Sequence, residues 1–116
     1  MHRFLLKSKI HRAHVTDSNV NYEGSISIAE DLMLKADLWE GEKVLVTSIT
    51  NGQRLETYVI KAPAGSGQIV INGAAAHLIG KGQRVTIMAF ASSQAPITPR
   101  RILLDAENGI LNESVL

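Results

Sequence analysis

The sequence predicts a mainly β protein, a barrel or sandwich of short strands with a few short helices. Three observations carry this. Apolar and polar residues alternate with period two over most of the chain. β-Branched residues crowd the alternating runs, above all in Lys43-Val44-Leu45-Val46-Thr47-Ser48-Ile49. Turn signals recur roughly every ten residues, and Asn51-Gly52 is the strongest hairpin signal among them.

Arg3 to Lys9 and Arg12 to Thr16 alternate as two strands. Asn21 to Ser25 reads as a turn, and Ile26 to Ile28 as the start of a strand. Ser27-Ile28-Ala29-Glu30 also fits a capping box, so that strand must be very short. Leu32, Met33 and Ala36 then share one face of a short helix ending near Asp37. After Asn51-Gly52, Arg54 to Ile60 runs back against Lys43 to Ile49. Pro63 to Gly67 is a loop. Gln68 to Ile71 and Arg84 to Phe90 are further strands. Between them Asn72-Gly73 opens a short helix over Ala74 to Leu78, stopped by Gly80. Ile102-Leu103-Leu104 and Ile110-Leu111 flank Glu107-Asn108-Gly109 as a last hairpin. The tail after Ser92, with Pro96 and Pro99, is expected to be loosely held.

The 116 residues make one domain, 1–116, with 45% apolar and 20% charged residues and a net charge of +1. That balance gives no general pull toward nucleic acid or membrane. The absence of cysteine excludes disulfides, thiolate metal sites and cysteine nucleophiles. No apolar run reaches the ~20 residues of a membrane span. Met1 to Val15 lacks the long apolar stretch of a secretory signal, so a cytoplasmic location is expected.

Candidate chemistry is thin when each feature stands alone. His11 and His14 would point to opposite faces of a strand, and no carboxylate pattern accompanies them, so no metal site is expected. Gly65-Ser66-Gly67 and Gly80-Lys81-Gly82 are turns that complete no phosphate-loop pattern. Asn72-Gly73-Ala74-Ala75-Ala76 reads equally well in two ways. It is either a helix start chosen for small size or a bared set of backbone N–H groups for a carboxylate or oxyanion. Arg54 and Tyr58, four apart, share one sheet face, with Thr57 on the other. Lys9 lies on another strand. Gly24-Ser25 alone is a turn. A β-barrel binding module without chemistry fits the composition equally well.

Four stretches change the balance when taken together: LLKSKIHRAHVT (5–16), NYEGSISI (21–28), TNGQRLETYVI (50–60) and INGAAAHL (71–78). In order and spacing they resemble the aspartate 1-decarboxylase family, pyruvoyl-dependent enzymes that make β-alanine. The resemblance implies a double-psi β-barrel and a homotetramer with active sites between subunits. It implies self-cleavage between Gly24 and Ser25 into chains 1–24 and 25–116. Ser25 becomes a covalent pyruvoyl group, so neither pyridoxal phosphate nor metal is expected.

Ser25 would supply both the nucleophile and the leaving oxygen for this cleavage. Gly24, lacking a Cβ, would tolerate strain and leave room for attack. The Thr57 hydroxyl would steady the oxyanion, and a water or a carboxylate would act as base. The pyruvoyl ketone would form a Schiff base with the amine of L-aspartate. Lys9 and Arg54 jointly would hold its carboxylates, and Tyr58 would return a proton. Thr57, Asn72, Gly73, Ala74 and Ala75 would help bind the substrate. A helper protein for cleavage joins L-aspartate among the expected partners, and the product would feed pantothenate and coenzyme A synthesis. A relative of the family that stays uncut is the second alternative.

Overall fold

The computed structural model describes residues 1–115, and it is mainly β, as the alternation predicts. β1 spans Arg3–His14, β2 Asp17–Asn19, β3 Ser25–Ala29, β4 Lys43–Ser48, β5 Arg54–Ala62 and β6 Ile69–Asn72. β7 spans Arg84–Ser93, β8 Arg100–Leu104 and β9 Ile110–Val115. One α-helix, α1 (Glu30–Ala36), and a 3-10 turn over Gly73–His77 complete the described elements.

The strands form one sheet in the order β2-β6-β3-β5-β4-β7-β1-β8-β9. The sheet curls back on itself just past β1. The Thr16 N–H donates to the Ile69 carbonyl at 2.8 Å, and the Thr16 hydroxyl exchanges bonds with the Ile69 backbone. β1, seventh in the order, thereby meets β6, second in the order, which is consistent with a barrel. Inside lie Ile10, Val15, Ile26, Ile28, Val44, Val46, Val59, Ile69, Ile71, Val85 and Ile87. These are the apolar members of the alternating runs, so one face of each strand forms the core.

Four local expectations are corrected. Arg3–His14 is one long strand rather than part of two. Arg12 takes a positive φ of 60° and the pairing with β7 slips between Ile10 and Ala13, so a bulge absorbs the break in alternation. That bulge also reverses the expectation for His11 and His14. With Ile10, Ala13 and Val15 all turned to the core, both histidines lie on the outer side. His11 meets the Thr86 hydroxyl at 3.2 Å, and His14 pairs with Arg84 two residues away on the same face of β7.

The capping box does not form. β3 continues through Ser27 to Ala29, and α1 begins without any side-chain cap. Pairing on both sides, with β5 and with β6, outweighs a single cap there. The helix still buries Leu32, Met33 and Ala36 as expected. It closes where Asp37 turns left-handed (φ 59°), with Asp37 N–H on Leu34 O and Leu38 N–H on Met33 O.

The tail is not loose. β8 pairs in parallel with β1, β9 pairs with β8, and Ile102 and Leu104 are buried. Asn108, itself buried and at φ 62°, ties the last hairpin down. Its side chain accepts from His14 N–H and donates to the carbonyls of His14 and Gly67 at 2.7–2.8 Å.

Candidate active site

Gly24 and Ser25 straddle a boundary. Residues 21–24 are exposed, whereas Ser25, the first residue of β3, is 1% exposed. A carbonyl at the edge of a turn is thus joined to a buried hydroxyl. β3 is held between β6 and β5. Ser25 lies opposite Asn72 in the antiparallel pair with β6. The Asn72 side-chain amide donates to Ser25 Oγ at 2.9 Å and to Ser27 Oγ at 3.0 Å. Asn72 does not cap the 3-10 turn that follows it, because its side chain is engaged here.

The other neighbour is β5. Its parallel register matches Ile26 with Val59. Continued backward, that register sets Tyr58 beside Ser25 and Thr57 beside Gly24. Alternation then separates the two as expected. Tyr58, 41% exposed, shares the outer face with Ser25, while half-buried Thr57 sits on the core side with Val59. The placement suits a Thr57 hydroxyl acting on the Gly24 peptide rather than on the Ser25 side chain.

The glycine that the geometry demands is Gly73, not Gly24. A Cβ on Gly73 would lie 2.8 Å from Gly24 Cα, 2.9 Å from Gly24 N and 3.0 Å from Tyr22 O, and Gly73 has φ +77°. The start of the 3-10 turn therefore packs directly on the Gly24 backbone. At Gly24 itself the expected strain is missing. Its φ is not positive, and nothing lies within 4 Å of where its Cβ would be. Beyond Gly73, Ala74 is exposed and Ala75 half-buried, so the backbone at the start of the turn faces outward beside Gly24.

Lys9 and Arg54 lie on β1 and at the start of β5. Lys9 lies in a cross-strand row Lys9–Met88–Leu45–Glu56, three strands from β5 and four from β3. Arg54 precedes Tyr58 by four residues, roughly 13 Å down the strand. Among the described residues neither cation is paired with a carboxylate. Lys9 instead pairs along the backbone with Arg101, and the two charges, with Arg12, lie around His11. Burial first, and then those positive charges, push the His11 imidazole below its ordinary range.

On the outer face Leu6 pairs with Phe90 and Lys43 pairs with Tyr58, and Lys43 and Phe90 line one groove. Phe4 and Phe90 are 81% and 46% exposed there, and a groove of about 310 Å³ lies among Phe4, Lys43, Glu56 and Phe90. The larger cavities, about 430 Å³ beside Lys7 and Trp39 and about 520 Å³ beside Leu6 and Pro96, have other linings. Among the described residues no three His, Asp or Glu side chains gather as a metal ion would require, and no helix is long and apolar enough to cross a membrane.

Sequence reasoning missed Ser27. Its spacing of two from Ser25 puts both hydroxyls on one face of a strand, and that signal was available. The competing helix-cap reading obscured it.

Known proteins resemble this chain along most of its length. A family model described as aspartate decarboxylase matches residues 1–111. A protein of Pseudothermotoga lettingae named aspartate 1-decarboxylase is 60% identical over 88 residues, 76% of each chain. One of the same name from Caldicellulosiruptor bescii is 50% identical over 114 residues, covering 95% of this chain and 89% of the relative. Another, from Heliobacterium modesticaldum, is 47% identical over 118 aligned positions, covering 98% and 89%.

Proposed function

The chain belongs to the aspartate decarboxylase family, and from that premise we propose how it works. It converts L-aspartate to β-alanine and carbon dioxide, using a pyruvoyl group made from its own Ser25 and supplying pantothenate and coenzyme A synthesis in the cytoplasm. The observation that carries the reading is the Asn72 amide bonded to a buried Ser25 hydroxyl, directly after an exposed Gly24. The same observation is the test of fit. A serine that only shaped a turn would need neither burial nor a dedicated amide donor.

Ser25 Oγ attacks the Gly24 carbonyl, and the chain transfers from nitrogen to oxygen as an ester. Thr57, level with Gly24 on β5, donates to the oxygen that becomes negative. Removal of the Ser25 Cα proton by a water or a carboxylate expels Oγ as part of the Gly24 carboxylate. Water then releases the Ser25 nitrogen as ammonia, leaving chains 1–24 and 25–116. Gly73 keeps the space beside Gly24 clear while this happens. The pyruvoyl group then supplies a carbonyl that accepts the electrons left when carbon dioxide departs from an amino acid.

Tyr58, beside Ser25 on the outer face, returns a proton to the reacting carbon. The backbone N–H groups of Ala74 and Ala75, with Thr57, Asn72 and Gly73, help hold the substrate. Lys9 and Arg54 bind its carboxylates. The site they complete is shared with a second copy. The exposed Phe4 and Phe90, in one groove with Lys43, suit such a contact, and a homotetramer with sites between subunits satisfies it.

The deciding measurement is the intact mass of the purified protein under denaturing conditions. Two fragments meeting between Gly24 and Ser25, the larger beginning in pyruvoyl, are expected. Ser25→Ala should stay whole and inactive, and activity in that variant would overturn the mechanism. A wild-type chain cut only after a helper protein is added would assign maturation to that partner.

A further inference from the structure

We infer that Ser27 is a positioning residue for cleavage of the Gly24–Ser25 bond and acts through Asn72. The inference rests on the self-processing reading above. A carboxamide nitrogen carries two hydrogens. In Asn72 one is directed to Ser25 Oγ at 2.9 Å and the other to Ser27 Oγ at 3.0 Å. The two serines are two residues apart on β3 and share a face, and Asn72 faces Ser25 across the β3–β6 pair. Ser25 and Asn72 are 1% and 4% exposed, so solvent competes little for these bonds. Among the described residues, the Asn72 amide is the one side-chain partner of the Ser27 hydroxyl.

An amide bonded at a single point can turn about its last side-chain torsion, which is soft. A second acceptor on the same rigid strand fixes the plane of the amide, and with it the direction from which Ser25 Oγ receives a hydrogen. With that lone pair occupied, the Ser25 hydroxyl must aim its own hydrogen and its attacking lone pair elsewhere. In the N-to-O shift the Oγ–carbonyl bond of the ester forms, the Gly24–Ser25 C–N bond breaks, and the hydroxyl proton ends on the Ser25 nitrogen. In the elimination a base takes the Cα proton, the Cβ–Oγ bond breaks, and the electron pair stays on Oγ in the new carboxylate. A donor held on Oγ stabilises that leaving oxygen. Ser27 therefore affects the rate of cleavage without touching the reacting atoms.

The test follows cleavage of the full chain over time by intact mass, in Ser27→Thr and Ser27→Val. Both substitutions suit a strand and are nearly equal in size, but only Thr keeps a hydroxyl. Ser27→Val should slow cleavage about three- to tenfold, the effect of losing one neutral hydrogen bond. Ser27→Thr should stay within about twofold of wild type, and in an Asn72→Ala background Ser27→Val should add nothing. Ser27→Ala gives the same readout should the Val chain fold poorly. Equal slowing by Thr and Val would reduce Ser27 to packing and overturn the inference. So would wild-type cleavage in Ser27→Val, or full additivity with Asn72→Ala. A wild-type chain that never cuts, with or without a helper, overturns the processing reading and this inference with it.

Discussion

Gly73→Ala separates two ways a glycine can matter. The new methyl would stand 2.8 Å from Gly24 Cα and 2.9 Å from Gly24 N. Carbon–carbon contacts are comfortable at about 3.5–4.0 Å, so the segment carrying the scissile bond must retreat by roughly 1 Å. A displacement of that size between reacting groups can cost roughly a hundredfold in rate. Gly73 also has φ +77°, where alanine pays about 1–2 kcal/mol in backbone energy. Gly52 provides the control. Its φ is also +77°, but nothing lies within 4 Å of its Cβ position. Gly52→Ala thus carries the backbone cost without the collision. Cleavage of both variants would be timed by mass, with thermal melts recorded in parallel. Both should melt lower than wild type, and only Gly73→Ala should cut about a hundredfold more slowly. A folded Gly73→Ala chain cutting as fast as Gly52→Ala would refute the steric argument.

Thr57→Val should slow cleavage roughly a hundredfold while leaving the fold intact, the cost of losing one oxyanion donor; unchanged processing would remove Thr57 from that role. Arg54→Ala should cleave normally yet lose about tenfold to a hundredfold in kcat/KM for L-aspartate, the range for a charged hydrogen bond to a carboxylate. An unchanged kcat/KM would refute that assignment. Asn108→Ala deletes three hydrogen bonds and leaves half-buried backbone groups of His14 and Gly67 without that partner. It should cost about 2–4 kcal/mol, visible as a lower denaturation midpoint, and a loss under about 0.5 kcal/mol would contradict the clamp. His11 has a lowered folded pKa, so the folded chain binds fewer protons there than the unfolded one. Its contribution is intact above the ordinary imidazole pKa of about 6.5 and is lost as pH falls through the lower folded value. His11→Gln should therefore shrink the drop in Tm between about pH 7 and about pH 5, and an undiminished drop would sink the idea.

Much of the site was legible in the chain. Gly24-Ser25 and Asn72-Gly73 each stood out in a short stretch of the sequence, and the structure sets those two stretches side by side. The alternation at Arg54 to Tyr58 put Thr57 and Tyr58 on opposite faces, as they are. The errors fell where a local signal met a distant one. Ser27 carries a good cap signature, yet pairing with β5 and β6 holds it in a strand. The prolines after Ser92 looked like the start of a loose tail, yet β1, some ninety residues away in sequence, receives β8. His11 and His14 were assigned opposite faces, yet the bulge at Arg12 turned both outward.

By itself the sequence determined the strand-rich class, the absence of thiol chemistry and the four stretches that resemble the family. These follow from side-chain chemistry and from period-two alternation, both of which are local. Only the tertiary structure decided that Asn72 bridges two serines, that Gly73 rather than Gly24 is the sterically required glycine, and that the end of β1 closes onto β6. Such facts depend on which strands become neighbours and in what register. That is settled by the cooperative closing of one core, to which residues far apart in the chain contribute together.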